Sequence, residues 1–134
     1  MLGARSVPEG IICTAEIALT GKRTVISARL DSGSELREPF SGEYVIVVRE
    51  SALPELGLRE VMKGKDESAP RLQVRLIPFS SVGGEGVLPA VRCDDIIIRQ
   101  GKKEYRVRAY IAVCSDNAIK GREDSVIPYG LIAF

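Results

Sequence analysis

Asp31-Ser32-Gly33-Ser34 is the stretch of this chain whose residue types and spacing carry catalytic weight. It closes an apolar run from Val25 to Leu30. A carboxylate at the end of such a run is either a turn residue or a placed functional group, because ionised carboxylates prefer water. An absence narrows the chemistry: the 134 residues contain no histidine. Ser-His-Asp and Cys-His systems cannot be built from this chain alone, and neither can a histidine-ligated zinc. Carboxylates, Ser, Lys, Tyr and Cys remain. Cys13, Cys93 and Cys114 are odd in number, widely spaced and lack a C-x-x-C pair, so they indicate neither a disulfide framework nor a zinc site. They read as small buried apolar side chains in a reducing compartment. No metal site and no cofactor are expected.

The elements that must hold Asp31 read as mostly β, since apolar and polar residues alternate in several places and tryptophan is absent. Cys13, Ala15, Ile17 and Leu19 alternate with polar residues, and after a turn at Gly21 and Lys22 the pattern resumes at Ile26, Ala28 and Leu30, predicting a hairpin that runs into Asp31. Tyr44 to Arg49 is a nearly continuous apolar run, expected as a buried strand. Ser51 is placed to cap a short helix through Leu58, and the polar stretch Lys63 to Pro70 reads as a surface loop. Leu72, Val74 and Leu76 alternate with Arg71, Gln73 and Arg75, predicting another strand. Val82-Gly83-Gly84-Glu85-Gly86 places three glycines within four residues between apolar arms, the composition of a flexible hairpin tip. Ile96 to Arg99 and the alternating set Tyr105, Val107, Ala109, Ile111 and Val113 predict two strands joined by a turn at Gln100 to Lys103. The apolar segment Val126 to Phe134 is expected in a core or an interface.

The length suits one packed domain over residues 1–134, with 1–10 flexible. Nineteen Lys plus Arg against eighteen Asp plus Glu leave a formal charge of +1 without a basic stripe, which gives no support to a nucleic-acid partner. The apolar runs are far shorter than the roughly 20 residues of a membrane helix, and no secretory signal is expected. The chain as given is expected to be soluble and cytoplasmic, without membrane contact of its own.

In this order of elements, Asp31-Ser32-Gly33 matches the Asp-Ser/Thr-Gly signature of single-lobe aspartic proteases of the retropepsin type, with Ile26 to Leu30 as the hydrophobic lead-in. More specifically, Ala28 to Pro39, Tyr44 to Val48 and Arg75 to Gly83 resemble the protease domain of the sporulation sigma-E-processing peptidase family, stage II sporulation protein GA. The resemblance runs from about Ile11 to Leu131. Ser34 stands where Asn is usual in the family, and Glu38 where Asp is usual. The resemblance implies an all-β, retropepsin-like barrel, one lobe per chain, with at most one or two short helices. It also implies a sigma-factor precursor as protein substrate, and a parent protein with membrane-spanning segments ahead of this cytoplasmic domain.

Peptide hydrolysis by carboxylates needs two of them sharing a proton, because like charges about 3 Å apart cannot both ionise. This chain holds one Asp-Ser-Gly, since Asp124-Ser125 is followed by Val126. The second Asp31 is therefore expected from another copy in a twofold homodimer. The resemblance implies Asp31 as the catalytic carboxylate and a Ser32 hydroxyl that bonds across the dimer. Gly33 would then allow close approach of substrate, and Ser34 would bond the outer oxygen of Asp31. Val82, Gly83, Gly84, Glu85 and Gly86 would form the flap over a bound peptide. A non-catalytic β-barrel that binds a peptide or protein in the same groove is the alternative, and Asp31 discriminates the two.

Overall fold

Strands with one apolar face bury it only by pairing and packing. In a computed structural model describing residues 11–19, 21–52, 74–81 and 84–132, the first alternating segments do so as β1 (Ile11–Leu19) and β2 (Lys22–Asp31). The two form the expected antiparallel hairpin, in register from Ile11 opposite Leu30 to Leu19 opposite Lys22. Seven strands follow: β3 (Val45–Arg49), β4 (Arg75–Ser81), β5 (Gly84–Arg92), β6 (Asp95–Gln100), β7 (Lys103–Val107), β8 (Tyr110–Cys114) and β9 (Ser125–Pro128). The fold is all-β. Helical residues among those described are confined to three 3-10 turns, Glu50–Ala52, Asp116–Ala118 and Tyr129–Leu131. Ser51 lies inside the first of these, and the rest of the helix expected through Leu58 falls outside the described residues. So do residues 1–10 and 63–70.

The described strands form one sheet in the order β4-β5-β8-β3-β9-β2-β1-β6-β7. β9 holds the centre, parallel to β2 and antiparallel to β3. Among the described residues it is the hydrogen-bonded link between the strands β4-β5-β8-β3 on one side and β2-β1-β6-β7 on the other. The sheet curls, because Ile17 (β1), Ile98 (β6), Val91 (β5), Ile111 (β8) and Ile127 (β9) share one buried cluster although they come from strands far apart in that order. Leu131 and Ile132 join this cluster, so that part of the apolar C-terminal segment is core. Ala133 and Phe134 lie outside the described residues. A smaller cluster of Val45, Ile77, Ala90, Tyr110 and Ala112, with Leu36 and Leu88 against it, sits under β4 and β5.

Two expectations are corrected. The single strand read from Tyr105 to Val113 is two, β7 and β8, because the chain leaves its hairpin with β6 at Arg108 and Ala109 and crosses to lie between β3 and β5. Of the strand read at Leu72, Val74 and Leu76, Leu72 lies outside the described residues and the described part runs from Arg75, with Ile77, fully buried, as its inward residue, while Leu76 is 61% exposed. Both faces of β4 carry apolar side chains, so its alternation does not say which face points in.

Candidate active site

Asp31 is the last residue of β2, half-buried, and opposite Pro128 at the end of β9. The chain then turns through Ser32 and Gly33, both exposed. The Gly33 N–H donates to Asp31 Oδ1 at 2.8 Å, and the Ser34 N–H donates to the Asp31 carbonyl at 3.3 Å. An aspartate that accepts from a backbone amide two residues on is a self-contained turn, and here it fixes one carboxylate oxygen while the side chain stays half open to solvent. Residues 31 to 34 are thus brought together, with Ser34 linked to Asp31 through its backbone amide.

The loop beyond is organised by a carboxylate that sequence reasoning treated only as part of a motif. Glu38 is 2% exposed, and its Oε1 accepts from the Ser41 N–H at 2.7 Å and its Oε2 from the Phe40 N–H at 3.1 Å. Burial alone would raise its pKa, but the hydrogen bonds from Ser41 and Phe40, helped by the Arg75 charge, hold it below the ordinary carboxylate value. The turn is closed by the Gly42 N–H donating to the Glu38 carbonyl and the Glu38 N–H donating to the Glu43 carbonyl. Arg37 donates through Nη1 to the Gly42 carbonyl at 2.9 Å and stacks over the Tyr44 ring, 3.8 Å from its centroid. The sequence signal for such a turn is a carboxylate followed by Pro39 and Gly42, which reads equally well as a solvated loop.

The expected flap is the hairpin β4–β5, paired from Arg75 opposite Ala90 to Ser81 opposite Gly84. Val82 and Gly83 lie outside the described residues. Gly84, at φ +130°, opens β5, and Glu85 is exposed. Gly86 meets a different constraint: the Phe79 ring lies across it, and a Cβ there would stand 2.9 Å from two ring carbons, so the ring would have to shift. An open groove of about 600 Å³ borders Phe79, Ser80, Glu85 and Gly86. Ile77 and Leu88, on the same face as Phe79 and Gly86, belong to the cluster that contains Leu36, five residues beyond Asp31. The Asp31 loop and the hairpin therefore share one apolar base.

Burial disfavours the thiolate at all three cysteines. Burial pushes Cys13 up to about 11 and Cys93 up to about 12, and it raises Cys114 as well. Cys93 lines a recess of about 400 Å³ between Asp94, Arg106 and Arg108, a recess to which Asp31 to Ser34 do not contribute. Among the described residues no three Cys, Asp or Glu side chains gather as metal ligands, and no helix is long and apolar enough to cross a membrane.

No curated protein matches the chain. A family profile does, over residues 1–124, and so over every element described up to the loop before β9. By that match the chain belongs to the Peptidase_U4 family, described as Sporulation factor SpoIIGA, and is a protease of sporulation.

Proposed function

We propose that the chain is a homodimeric aspartic endopeptidase in which a water held between two Asp31 carboxylates hydrolyses a peptide bond. The observation that carries this reading is Asp31 itself: a half-buried carboxylate at a strand end with one oxygen fixed by the Gly33 amide. It stands in a protease-family chain that has no histidine and whose thiols are held neutral. One ionised Asp31 takes a proton from the water as its oxygen bonds to the carbonyl carbon, and the protonated Asp31 of the second copy gives its proton to the carbonyl oxygen. The tetrahedral diol then collapses, the C–N bond breaks and a proton passes to the departing amine. The two protonation steps belong to the pair.

In this reading Ser32 links the two active-site turns across the dimer, and Gly33 and Ser34 shape the approach to Asp31. Residues 82–86 close over an extended substrate through main-chain hydrogen bonds. The substrate is a sigma-factor precursor. Membrane segments ahead of the domain would hold two copies together and raise their effective concentration.

The test is cleavage of a diverse peptide library between pH 4 and 8 over a wide range of protein concentration, with wild type and Asp31→Asn compared. Cleavage that vanishes in Asp31→Asn, with specific activity rising with concentration, is expected. Equal activity in both proteins would remove Asp31 as the catalyst. Silence at concentrations where sedimentation shows dimer would favour the peptide-binding module.

A further inference from the structure

Asp31 is flanked by two chain segments. One is the loop that follows it, Ser32 to Glu43. The other, reached across the pairing with Pro128, is the 3-10 turn Tyr129–Leu131. Tyr44 touches both. On one side the Arg37 guanidinium lies 3.8 Å from the centre of its ring, and Arg37 and Tyr44 also pair through their backbones. On the other side the hydroxyl end of Tyr44 rests on Gly130 so closely that no Cβ fits there. The root of the side chain cannot retreat. The Tyr44 carbonyl accepts from the Tyr110 N–H of β8 at 3.0 Å, and the next amide, Val45 N–H, donates to the Leu36 carbonyl at 3.0 Å.

We propose that Tyr44 is a strut that sets the separation of these two flanks and thereby holds the Asp31 carboxylate in place. It is a positioning residue, acting by volume. Arg37 presses the ring from the loop side, and Gly130 is glycine because the far end of the ring occupies the space of a side chain. Widening the gap between the flanks moves the end of β2 relative to β9, and the turn at Ser32 and Gly33 moves with it. The kinetic part of the proposal rests on Asp31 as the catalyst, whereas the geometric part does not.

The experiment separates the two. The amide proton of Gly33 bonds to Asp31 Oδ1 and reports the position of that carboxylate in an NMR spectrum of the whole chain, with Asp31→Ala, which has no side-chain acceptor, identifying the contribution of the bond. Gly130→Ala is expected to shift the Gly33 resonance upfield while those of Ile17 and Ile98 in the core stay in place. Tyr44→Phe added to Gly130→Ala removes the hydroxyl, the atom nearest the new methyl, but leaves the ring carbon Cζ 3.0 Å from it, and is expected to bring Gly33 part of the way back. In cleavage assays the same pair should lose and partly regain kcat without a matching change in KM, the loss reaching about 100-fold if the displacement approaches 1 Å. If Gly130→Ala does not fold, Tyr44→Leu is read the same way: an upfield Gly33 resonance over an unchanged core supports the strut, and an unmoved one overturns it. A Gly33 resonance unmoved in Gly130→Ala, or moved and not brought part of the way back by Tyr44→Phe, also overturns it. Activity retained in Asp31→Asn would instead overturn the dyad and leave the Gly33 result standing.

Discussion

Glu38 is a carboxylate taken out of water and kept charged by the Ser41 side chain and the backbone amides of Phe40 and Ser41, which links the shape of the loop after Asp31 to pH. Its pKa in the folded chain lies below its ordinary value of 4.5. Its contribution to stability is therefore fully present above that value, and it is lost as pH falls through the lower folded pKa. Glu38→Gln should melt below wild type at pH 7, and the gap between the two melting temperatures should close as the solution is acidified below 4.5. A gap that stays constant down to acid pH would show that Glu38 contributes packing rather than charge. At this scale the sequence exposed only part of the site. Asp31 stands out because a carboxylate ending an apolar strand conflicts with its surroundings. Glu38, Tyr44 and Gly130 do not, since two of the partners of Glu38 are backbone amides that any sequence supplies, and Tyr44 and Gly130 meet across 86 positions of chain, a separation that no local pattern encodes.

Strands were legible where one face is apolar and the other polar, as in β1 and β2. They were less so where both faces are apolar. β4 shows this: Val74 and Leu76 suggested an inward face, yet Ile77 is the buried residue and Leu76 faces solvent, opposite Pro89. β7 and β8 show the complementary case, since an unbroken alternation across Arg108 and Ala109 hides a change of partner from β6 to β3 and β5. In the β4–β5 hairpin Phe79 lies on Gly86, a cross-strand pair in which the aromatic ring takes the place of the missing side chain. Gly86→Ala puts a methyl 2.9 Å from two ring carbons, so the ring must swing off the hairpin. Faster amide exchange across Gly84–Arg92 is expected, with β1 and β6 unchanged, together with a raised KM for peptides. Unchanged exchange in β5 would show that the ring moves aside at no cost to the hairpin.

For the molecule as a whole, β9 is decisive. Its four residues join two four-stranded halves, with Ile127 fully buried and Ser125 Oγ donating to the Ser27 carbonyl at 2.9 Å. Arg49 donates to the carbonyls of Asp116, Gly121 and Glu123, and Arg29 to that of Lys120, so the loop that delivers β9 is held from both neighbouring strands. A chain ending at Asp124 keeps eight of the nine described strands and loses the link. It should show a broadened, non-cooperative melt and a collapsed amide spectrum, and a dispersed spectrum with a sharp melt would show that the shared core alone unites the halves. The all-β class was readable from alternation. The central place of β9 was not, because Val126 and Ile127 pair with β2 and β3 across some 80 to 100 residues, and only the folded sheet brings them together. The order in which the ribosome makes the chain gives this placement a temporal meaning. Asp31 leaves the ribosome long before β9, the last of the described strands to be made, so the growing chain carries this carboxylate through the synthesis of six further described strands before the one that pairs beside it exists.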